Sequence, residues 1–583
     1  MTNDSDLTPE QRAALDPNIR LIEACPGAGK TRTIIQRFKD HAVESNRAVA
    51  LLSFTNAAVD EARSRCRDRV DLLRSPHFIG TFDTFLHRYI VTPSVGSALG
   101  KSPTYYQSWD ELPATMNQVS INRSWKSISL SNFSHESGGT ISLLVEGLKR
   151  EERQLFESLE NDRQLQTLIQ SGTDKIRAFN ASGIYDSDSA RWKALVILRS
   201  ERGNAVLTSL VKRFSHIIVD EFQDCATLEH EFLEILTNAG IRITVVADPD
   251  QSIFAFRQVE SEAYANYRAT IANIDVVTLT TNFRSSPVIC EFVQNLRFEP
   301  ATVMISGQID RIGNCSSIYL LGGTDEEIRS RFLSLADSWG VPFDQRISLA
   351  HRRSDASSLG GGGKSPPRGD GNMLEMLKSL SILITSGSAV IRREALVKIE
   401  RLVTQQFEWT SEQNAFSTKQ KLELLGKNEL WVRLMVADIL SDIINWNSPD
   451  SVGVSIRRIL EEFFRDLPIP IRGALGRRFA KPNAELWRYW CGRNADRDVT
   501  AKLAWSTIHA SKGQEFDAVL LKIPASVVMV SWLAGVASEE RRVFYVGASR
   551  ARKLLVLAVS ANRFQEVKGQ LESLSLPIVC ESL

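Results

Sequence analysis

Short runs of aliphatic and β-branched residues recur along the chain, and each stops at a polar or turn residue. They are RLIEA at 20–24, AVALLSF at 48–54, HIIVD at 216–220, ITVVAD at 243–248, AVLLK at 518–522 and LLVLAV at 554–559. Apolar runs without alternation mark strands buried on both faces, as in parallel sheets. Between them, apolar residues return at helical spacing, as in AAVDEARSRCRDRV at 57–70 and LEHEFLEILTNAG at 228–240, which stops on Gly240. This order of elements predicts an α/β fold with doubly wound parallel sheets.

Two segments break the rhythm. Residues 91–210 carry helical patterns and three tryptophans, Trp109, Trp125 and Trp192, with no strand–helix alternation. The second break opens on SSLGGGGKSPPRGDGN at 357–372, too poor in apolar area to order itself, and helical patterns then run to about Trp490. The expected organisation is a first α/β domain from 1–90 and 211–275, and a second from 276–356 and 500–583. Mainly helical insertions fill 91–210 and 357–499, the latter reduced and entered through the Gly-rich linker. No repeat at a short fixed period is present.

Length and composition narrow the picture. A chain of 583 residues exceeds what one core supports. A formal net charge of +1 excludes a polybasic surface, so a nucleic-acid site would be a local groove. The seven cysteines form no C-x-x-C pair, which argues against zinc ligation and a disulfide framework and for a reduced cytoplasmic protein. The start, MTNDSDLTPEQ, is too polar for a secretory signal. The run AVLLKIPASVVMVSWLAGVA at 518–537 carries Lys522 and Pro524, and reads as a strand plus a buried loop or helix, with no membrane partner.

Chemistry concentrates in EACPGAGKTRT, 23–33, directly after an apolar run. A phosphate-binding loop needs glycines that let backbone N–H groups face phosphate oxygens, a lysine for the terminal phosphates and a hydroxyl for magnesium. Gly27, Gly29, Lys30 and Thr31 meet those needs, although Ala24 stands where the strict pattern has glycine. HIIVDEFQD, 216–224, places Asp220 and Glu221 at the end of an apolar strand, where ligands bind in α/β folds. An acidic strand end alone is common. Paired with a phosphate loop it points to nucleotide hydrolysis, with Asp220 holding magnesium and Glu221 polarising the attacking water.

With these residues in place the chain resembles the UvrD/Rep/PcrA-type superfamily 1 DNA helicases, and the remaining motifs agree in order. LTPEQRAAL resembles their adenine-reading motif, LLSFTNAAVDEA motif Ia, IGTFDTFLHRYI motif Ib and VVADPDQSIFAFR motif III. TTNFRSSPVI resembles motif IV, STIHASKGQEFDAVLL motif V and ERRVFYVGASRA motif VI. The resemblance implies two RecA-like motor domains, ATP and Mg2+, with Thr31 and Asp220 on the metal. It implies that residues 24–32 (Ala24, Cys25, Pro26, Gly27, Ala28, Gly29, Lys30, Thr31 and Arg32) surround the nucleotide, with Gln11 reading adenine. It further implies that Phe283 stacks on the base, Glu515 lies near the ribose and Gln251 senses the γ-phosphate, while Arg284 and Arg550 reach across from the second domain as arginine fingers. For DNA it implies Phe54 and Phe256 as stacking platforms, with polar contacts from Thr55, Asn56, Arg257 and His509. Core packing is the alternative for Phe54, Phe256 and Phe283. The basic stretches RSRCRDR at 63–69 and Arg472, Arg477, Arg478 and Lys481 fit a phosphate path and a solvated helix face equally.

The expected function is an ATP-dependent translocase and helicase on single-stranded and tailed duplex DNA, moving 3′ to 5′, in repair, recombination or antiviral defence. The shortened second insertion argues against efficient unwinding alone. The rival reading is an ATP-dependent, DNA-sensing regulatory subunit that switches a partner such as a nuclease or repair protein.

Overall fold

The computed structural model describes residues 7–120, 127–136, 138–159, 162–253, 261–297, 303–308, 317–361, 371–385, 389–410, 413, 416–484, 486–487, 490–491, 503–523 and 538–583. The chain divides into two compact units, one made of Met1–Cys315, Lys512–Gln514 and Val528–Arg552, the other of Ser316–Ser511, Glu515–Val527 and Lys553–Leu583.

In the first unit the early apolar runs become a six-stranded parallel sheet. Its strands are β1 (Leu21–Ala24), β2 (Ala48–Ser53), β3 (Phe78–Thr81), β4 (Phe214–Val219), β5 (Arg242–Ala247) and β6 (Val276–Leu279), in the order β6–β1–β5–β4–β2–β3. Parallel neighbours that are distant in sequence require crossovers, and helices supply them: Lys30–Glu44 leads from β1 to β2 and Thr227–Asn238 from β4 to β5. All six residues of β2 are buried, and the core on the sheet is built from Leu21, Leu52, Phe214, Ile217 and Val245 with Phe82, Phe85 and Phe232. Because β1, β5 and β4 run side by side in one direction, the loops after Ala24, Val219 and Ala247 emerge together. At the ordinary strand spacing, the phosphate-type loop and Asp220 lie roughly 10 Å apart along that edge.

Two expectations change here. The boundary at 276 is wrong for the sheet: Val276–Leu279 pairs with β1 from Leu21↔Val276 to Ala24↔Leu279. Three of its four residues are only half-buried, so VVTL is an edge strand without the long apolar run that marked its neighbours. The insertion at 91–210 is less purely helical than its pattern. Beside the helices Asp162–Ala181, Ser187–Arg199 and Gly203–Arg213 it carries two short antiparallel pairs, Gln118–Val119 with Ile128–Ser129 and Phe133–His135 with Ile141–Leu143. Trp109, Leu130, Phe133 and Leu168 centre a separate small core there.

The second unit has its own sheet: β7 (Ile318–Gly322), β8 (Arg346–Ala350), β9 (Ala504–Thr507), β10 (Phe516–Lys522), β11 (Ala551–Val559, which runs from the first unit into the second) and β12 (Ile578–Ser582). Their order is β9–β8–β10–β11–β7–β12, and β8 pairs parallel with β9 and β10, as β7 does with β11 and β12. Helices Asn372–Thr385, Ala389–Thr404, Glu429–Asp442 and Pro449–Phe464 surround a distinct core that includes Leu377, Ile399, Met435, Ile456 and Leu460. The Gly-rich stretch begins later than its composition implied. Ser357, Ser358 and Leu359 finish the helix Arg353–Leu359, and the Gly360 carbonyl accepts from Leu503 N at 3.0 Å. Gly361 takes φ +74°, beside Arg329. The apolar run after Ile523, residues 524–537, lies outside the described residues, as do 362–370. Among the described residues no helix is long and apolar enough to cross a membrane.

Candidate nucleotide site

The loop after β1 has the conformation its glycines permit. Gly27 and Gly29 have φ of +71° and +76°, in the left-handed region that side chains rarely adopt. A Cβ on Gly27 would collide with Asn282 and Arg284, and one on Gly29 would meet Gln11 Nε2 at 2.8 Å. Ala24 departs from the strict pattern without consequence for this geometry, since it is the last, buried residue of β1 and pairs with Leu279. Cys25 packs inward with its Sγ donating to Thr280 O at 3.4 Å, and burial pushes its thiol up to about 12. Phe283 N donates to Gly27 O at 2.9 Å, which fixes motif IV against the loop. The Phe283 ring is 40% exposed, so it is not a core residue.

Lys30 opens the helix Lys30–Glu44. Its Nζ is buried and has no hydrogen-bond partner among the described residues, while Glu221 Oε1 stands 3.8 Å away. Burial opposes its charge, but Glu221, Asp248 and Asp220 raise its pKa. A desolvated ammonium with unused donors is a site built for an anion. Thr31 and Arg32, the next two residues, are half-buried. Gln11 is buried, with Nε2 donating to Ala28 O at 2.9 Å and Oε1 accepting from Thr8 N at 3.2 Å. Its amide therefore latches the phosphate-type loop.

Across the sheet edge, Asp220 and Glu221 follow β4. Glu221 has φ +55° and ψ +42°, an uncommon backbone for a non-glycine residue and the kind of strain that collects at functional sites. Gln223 holds it there, donating from Nε2 to Glu221 Oε2 at 2.5 Å and accepting from Asp248 N at 3.0 Å. Burial, then the Glu221 charge, raises the Asp220 carboxyl. Burial acts in the same sense on Glu221, but Lys30 and Lys512 outweigh it and hold Glu221 below the usual carboxylate range. The two neighbours are thereby shifted in opposite directions. Among the described residues no three His, Cys, Asp or Glu side chains group as a metal site. Thr31 and Asp220 could hold a divalent ion only together with oxygens of a bound nucleotide and water.

Three basic residues complete the surroundings. Lys512 Nζ donates to both oxygens of Asp224 at 2.7 and 2.6 Å and to Gln251 O at 3.0 Å, and stands 3.6 Å from Glu221 Oε2. Arg550 is buried and donates to Gln251 Oε1 at 2.9 Å, to Gln514 O at 3.2 Å and to Val546 O at 2.9 Å. Its partners are neutral oxygens, and burial, reinforced by Arg284, lowers its pKa to about 9. Arg284 Nη1 donates to Ser549 O at 3.0 Å. Gln251 is fixed from its other end, with Nε2 donating to Asp248 Oδ2 at 2.6 Å. Arg284 and Arg550 belong to the same compact unit as Lys30, where the expected organisation had them in the second domain. Glu515 and His509 belong to the other unit, where the His509 ring lies 5.4 Å from that of His351.

The expected DNA residues divide. Phe256 and Arg257 lie outside the described residues. Phe54 is half-buried, and its ring stacks on Phe82 at 5.5 Å and 16°. Thr55 caps the helix Asn56–Arg65, its hydroxyl accepting from Ala58 N at 3.2 Å, and Asn56 is exposed. Sequence reasoning missed Asp248, Asp224, Lys512 and Tyr545. Asp248 ends the apolar run ITVVAD just as Asp220 ends HIIVD, so the strand-end argument applied twice would have found it. Tyr545 donates to Asp248 Oδ2 at 3.2 Å, but in VFYVGA it reads as a core aromatic.

Comparison with known proteins bears on this arrangement. Residues 7–272 match the family described as UvrD/REP helicase N-terminal domain, and residues 492–562 the UvrD-like helicase C-terminal domain. The two together cover more than half of the chain. The ATP-dependent DNA helicase srs2 of Schizosaccharomyces pombe is 24% identical over 324 residues, 50% of this chain and 34% of that protein. DNA helicase II of Haemophilus influenzae is 24% identical over 318 residues, 52% of this chain and 40% of that protein. ATP-dependent DNA helicase Rep of Buchnera aphidicola, from Acyrthosiphon pisum, is 21% identical over 430 residues, 61% of this chain and 64% of that protein. The chain thus spans less than two thirds of the length of each of these relatives.

Proposed function

The chain belongs to the UvrD/Rep helicase family, and on that premise we propose that it is an ATP-dependent motor that moves 3′ to 5′ along single-stranded DNA and acts on tailed duplexes. The observation that carries the reading is the buried Lys30 ammonium with no hydrogen-bond partner among the described residues, facing Glu221 across the sheet edge. A cradle of left-handed glycines beside such a lysine fits a nucleoside triphosphate.

ATP is the substrate. Lys30 neutralises its terminal phosphates, and the backbone of Gly27–Thr31 cradles them. Thr31 and Asp220 hold magnesium, which when bound neutralises charge on the phosphate oxygens. Glu221, kept ionised by Lys30 and Lys512, accepts a proton from the attacking water. Gln251 and Arg550, already hydrogen-bonded to each other, stabilise the charge that develops on the departing phosphate. Lys512 pairs with Asp224 at 2.6 Å and lies 3.6 Å from Glu221, so it orients the turn and helps hold Glu221 as a carboxylate.

The test is ATP hydrolysis by the purified chain with and without oligodeoxythymidine, together with stopped-flow translocation on end-labelled single strands. Turnover stimulated by single strands, with translocation times that grow with strand length, is expected. No hydrolysis in either condition overturns the proposal. Stimulated hydrolysis without translocation would favour a DNA-sensing switch for a partner protein.

A further inference from the structure

Arg191 lies on the helix Ser187–Arg199 of the first insertion, outside every motif. Its Nε and Nη2 donate to the two oxygens of Asp83 at 2.8 and 3.1 Å, and its Nη1 stands 2.9 Å from Glu229 Oε1. Asp83 belongs to the short helix Phe82–Leu86 that follows β3. Glu229 belongs to the first turn of Thr227–Asn238, and its Oε2 accepts from Ala226 N at 3.1 Å. That helix starts three residues after Asp224, in the turn that carries Asp220 and Glu221.

An apolar connection runs beside the ionic one. Phe54 stacks on Phe82, Phe82 meets Phe232 edge-on at 5.3 Å, and Phe232 is one turn beyond Glu229 on the same helix. Both connections therefore start on motif Ia and Ib segments and end on the helix attached to the carboxylate turn. Burial opposes charge on Arg191 and Asp83, yet Glu229 and Asp83 raise the pKa of Arg191, and Arg191 lowers that of Asp83. A desolvated ion triad of this kind is a poor device for stability alone, since apolar replacements commonly do as well. Its two-pronged geometry instead fixes the relative position of two helices.

We propose that Arg191 is a positioning residue that couples single-strand occupancy at Phe54 to the Asp220–Glu221 turn, through the Asp83–Arg191–Glu229 bridge. The inference rests on the reading of the chain as a DNA-stimulated ATPase. Coupling of this kind is reciprocal: strand and nucleotide change each other's affinity by one common factor.

The experiment uses the full chain, Arg191→Met, Arg191→Lys and the triple variant Asp83→Asn, Arg191→Met, Glu229→Gln, which leaves no buried charge alone. ATP turnover is measured with and without oligodeoxythymidine, and single-strand affinity by anisotropy with and without a non-hydrolysable ATP analogue. In Arg191→Met and in the triple variant, turnover without DNA stays within about twofold of the parent, stimulation by DNA falls about tenfold, and the nucleotide effect on strand affinity approaches none. Arg191→Lys, which keeps charge but loses the two-pronged fork, falls between. Parental stimulation in either folded methionine-containing variant overturns the bridge, as does an equal loss of basal and stimulated turnover. If Arg191→Met does not fold, the triple variant decides. A parent that shows no response to DNA overturns the motor reading and the coupling with it, an outcome distinct from failure of the bridge alone.

Discussion

At the residue scale, Lys30 and Glu221 share one electrostatic circumstance and should fail differently. Lys30→Ala removes the counter-charge for phosphate, so hydrolysis should fall by at least about 10²–10³ and ATP affinity should fall too, with the fold intact by circular dichroism. Near-parental turnover by that variant would falsify the assignment. Glu221→Gln leaves the lysine in place, so nucleotide binding should persist while turnover drops about 10²–10⁴, the usual worth of a positioned base. Equilibrium binding of a fluorescent ATP analogue, measured beside steady-state hydrolysis, separates the two. These candidate residues were legible in the sequence because glycine, lysine and strand-end acids leave marks at fixed offsets. What was not legible is how Glu221 is kept ionised beside Asp220. Beside Lys30, part of that comes from Lys512, almost 300 residues away in the chain, and no local pattern announces such a pairing.

At the scale of elements, one buried cation holds the start of the chain to the helix after the phosphate-type loop. Arg37 on Lys30–Glu44 is fully buried and donates to the carbonyls of Asp16 and Ile19 at 2.7 and 3.0 Å, to Ala14 O at 2.5 Å and to Thr244 Oγ1 at 3.0 Å. Arg37→Met should cost about 3 kcal/mol or more, because several buried carbonyls lose a charged donor together. Denaturant unfolding checks this, and the Michaelis constant for ATP should rise as the segment that follows Gln11, held by Arg37 at Ala14, Asp16 and Ile19, loosens. The same neighbourhood makes the fold acid-sensitive. Burial, aided by Arg37, lowers the pKa of His41 to about 4 and that of His216 to about 2. The unfolded chain binds protons at these sites near pH 6.5 and the folded chain does not, so stability should be full above pH 6.5 and decline as pH falls from there toward 4. Melting temperatures between pH 8 and pH 5 test the sign, and an unchanged melting temperature down to pH 5 would sink it. Elements with long apolar runs, such as β2 and β4, were readable from pattern alone. Edge strands were not: β6 and β12 are covered on few sides, and their sequences lack the continuous apolar signal that burial on both faces requires.

At the scale of the whole molecule, the expected reduction of the second insertion leads to a functional prediction. The described helices between 372 and 464, which lie in the chain between β8 and β9, form a core of their own. Under the proposed reading the purified chain should translocate on single strands and unwind a 3′-tailed duplex poorly. Processive unwinding by the isolated chain in a fluorescence strand-separation assay would contradict this. The division into two units has a different consequence. The backbone passes between them after residues 315, 511, 514, 527 and 552, so neither unit is a contiguous stretch of sequence. A fragment ending at 315 would carry Lys30 and Glu221 but lack Lys512 and Arg550. Co-expressed halves divided within 362–370 would each hold part of the second sheet, β7 and β8 on one side and β9 to β12 on the other. ATPase activity recovered from such halves should therefore rise with the product of the two fragment concentrations, as a bimolecular reconstitution.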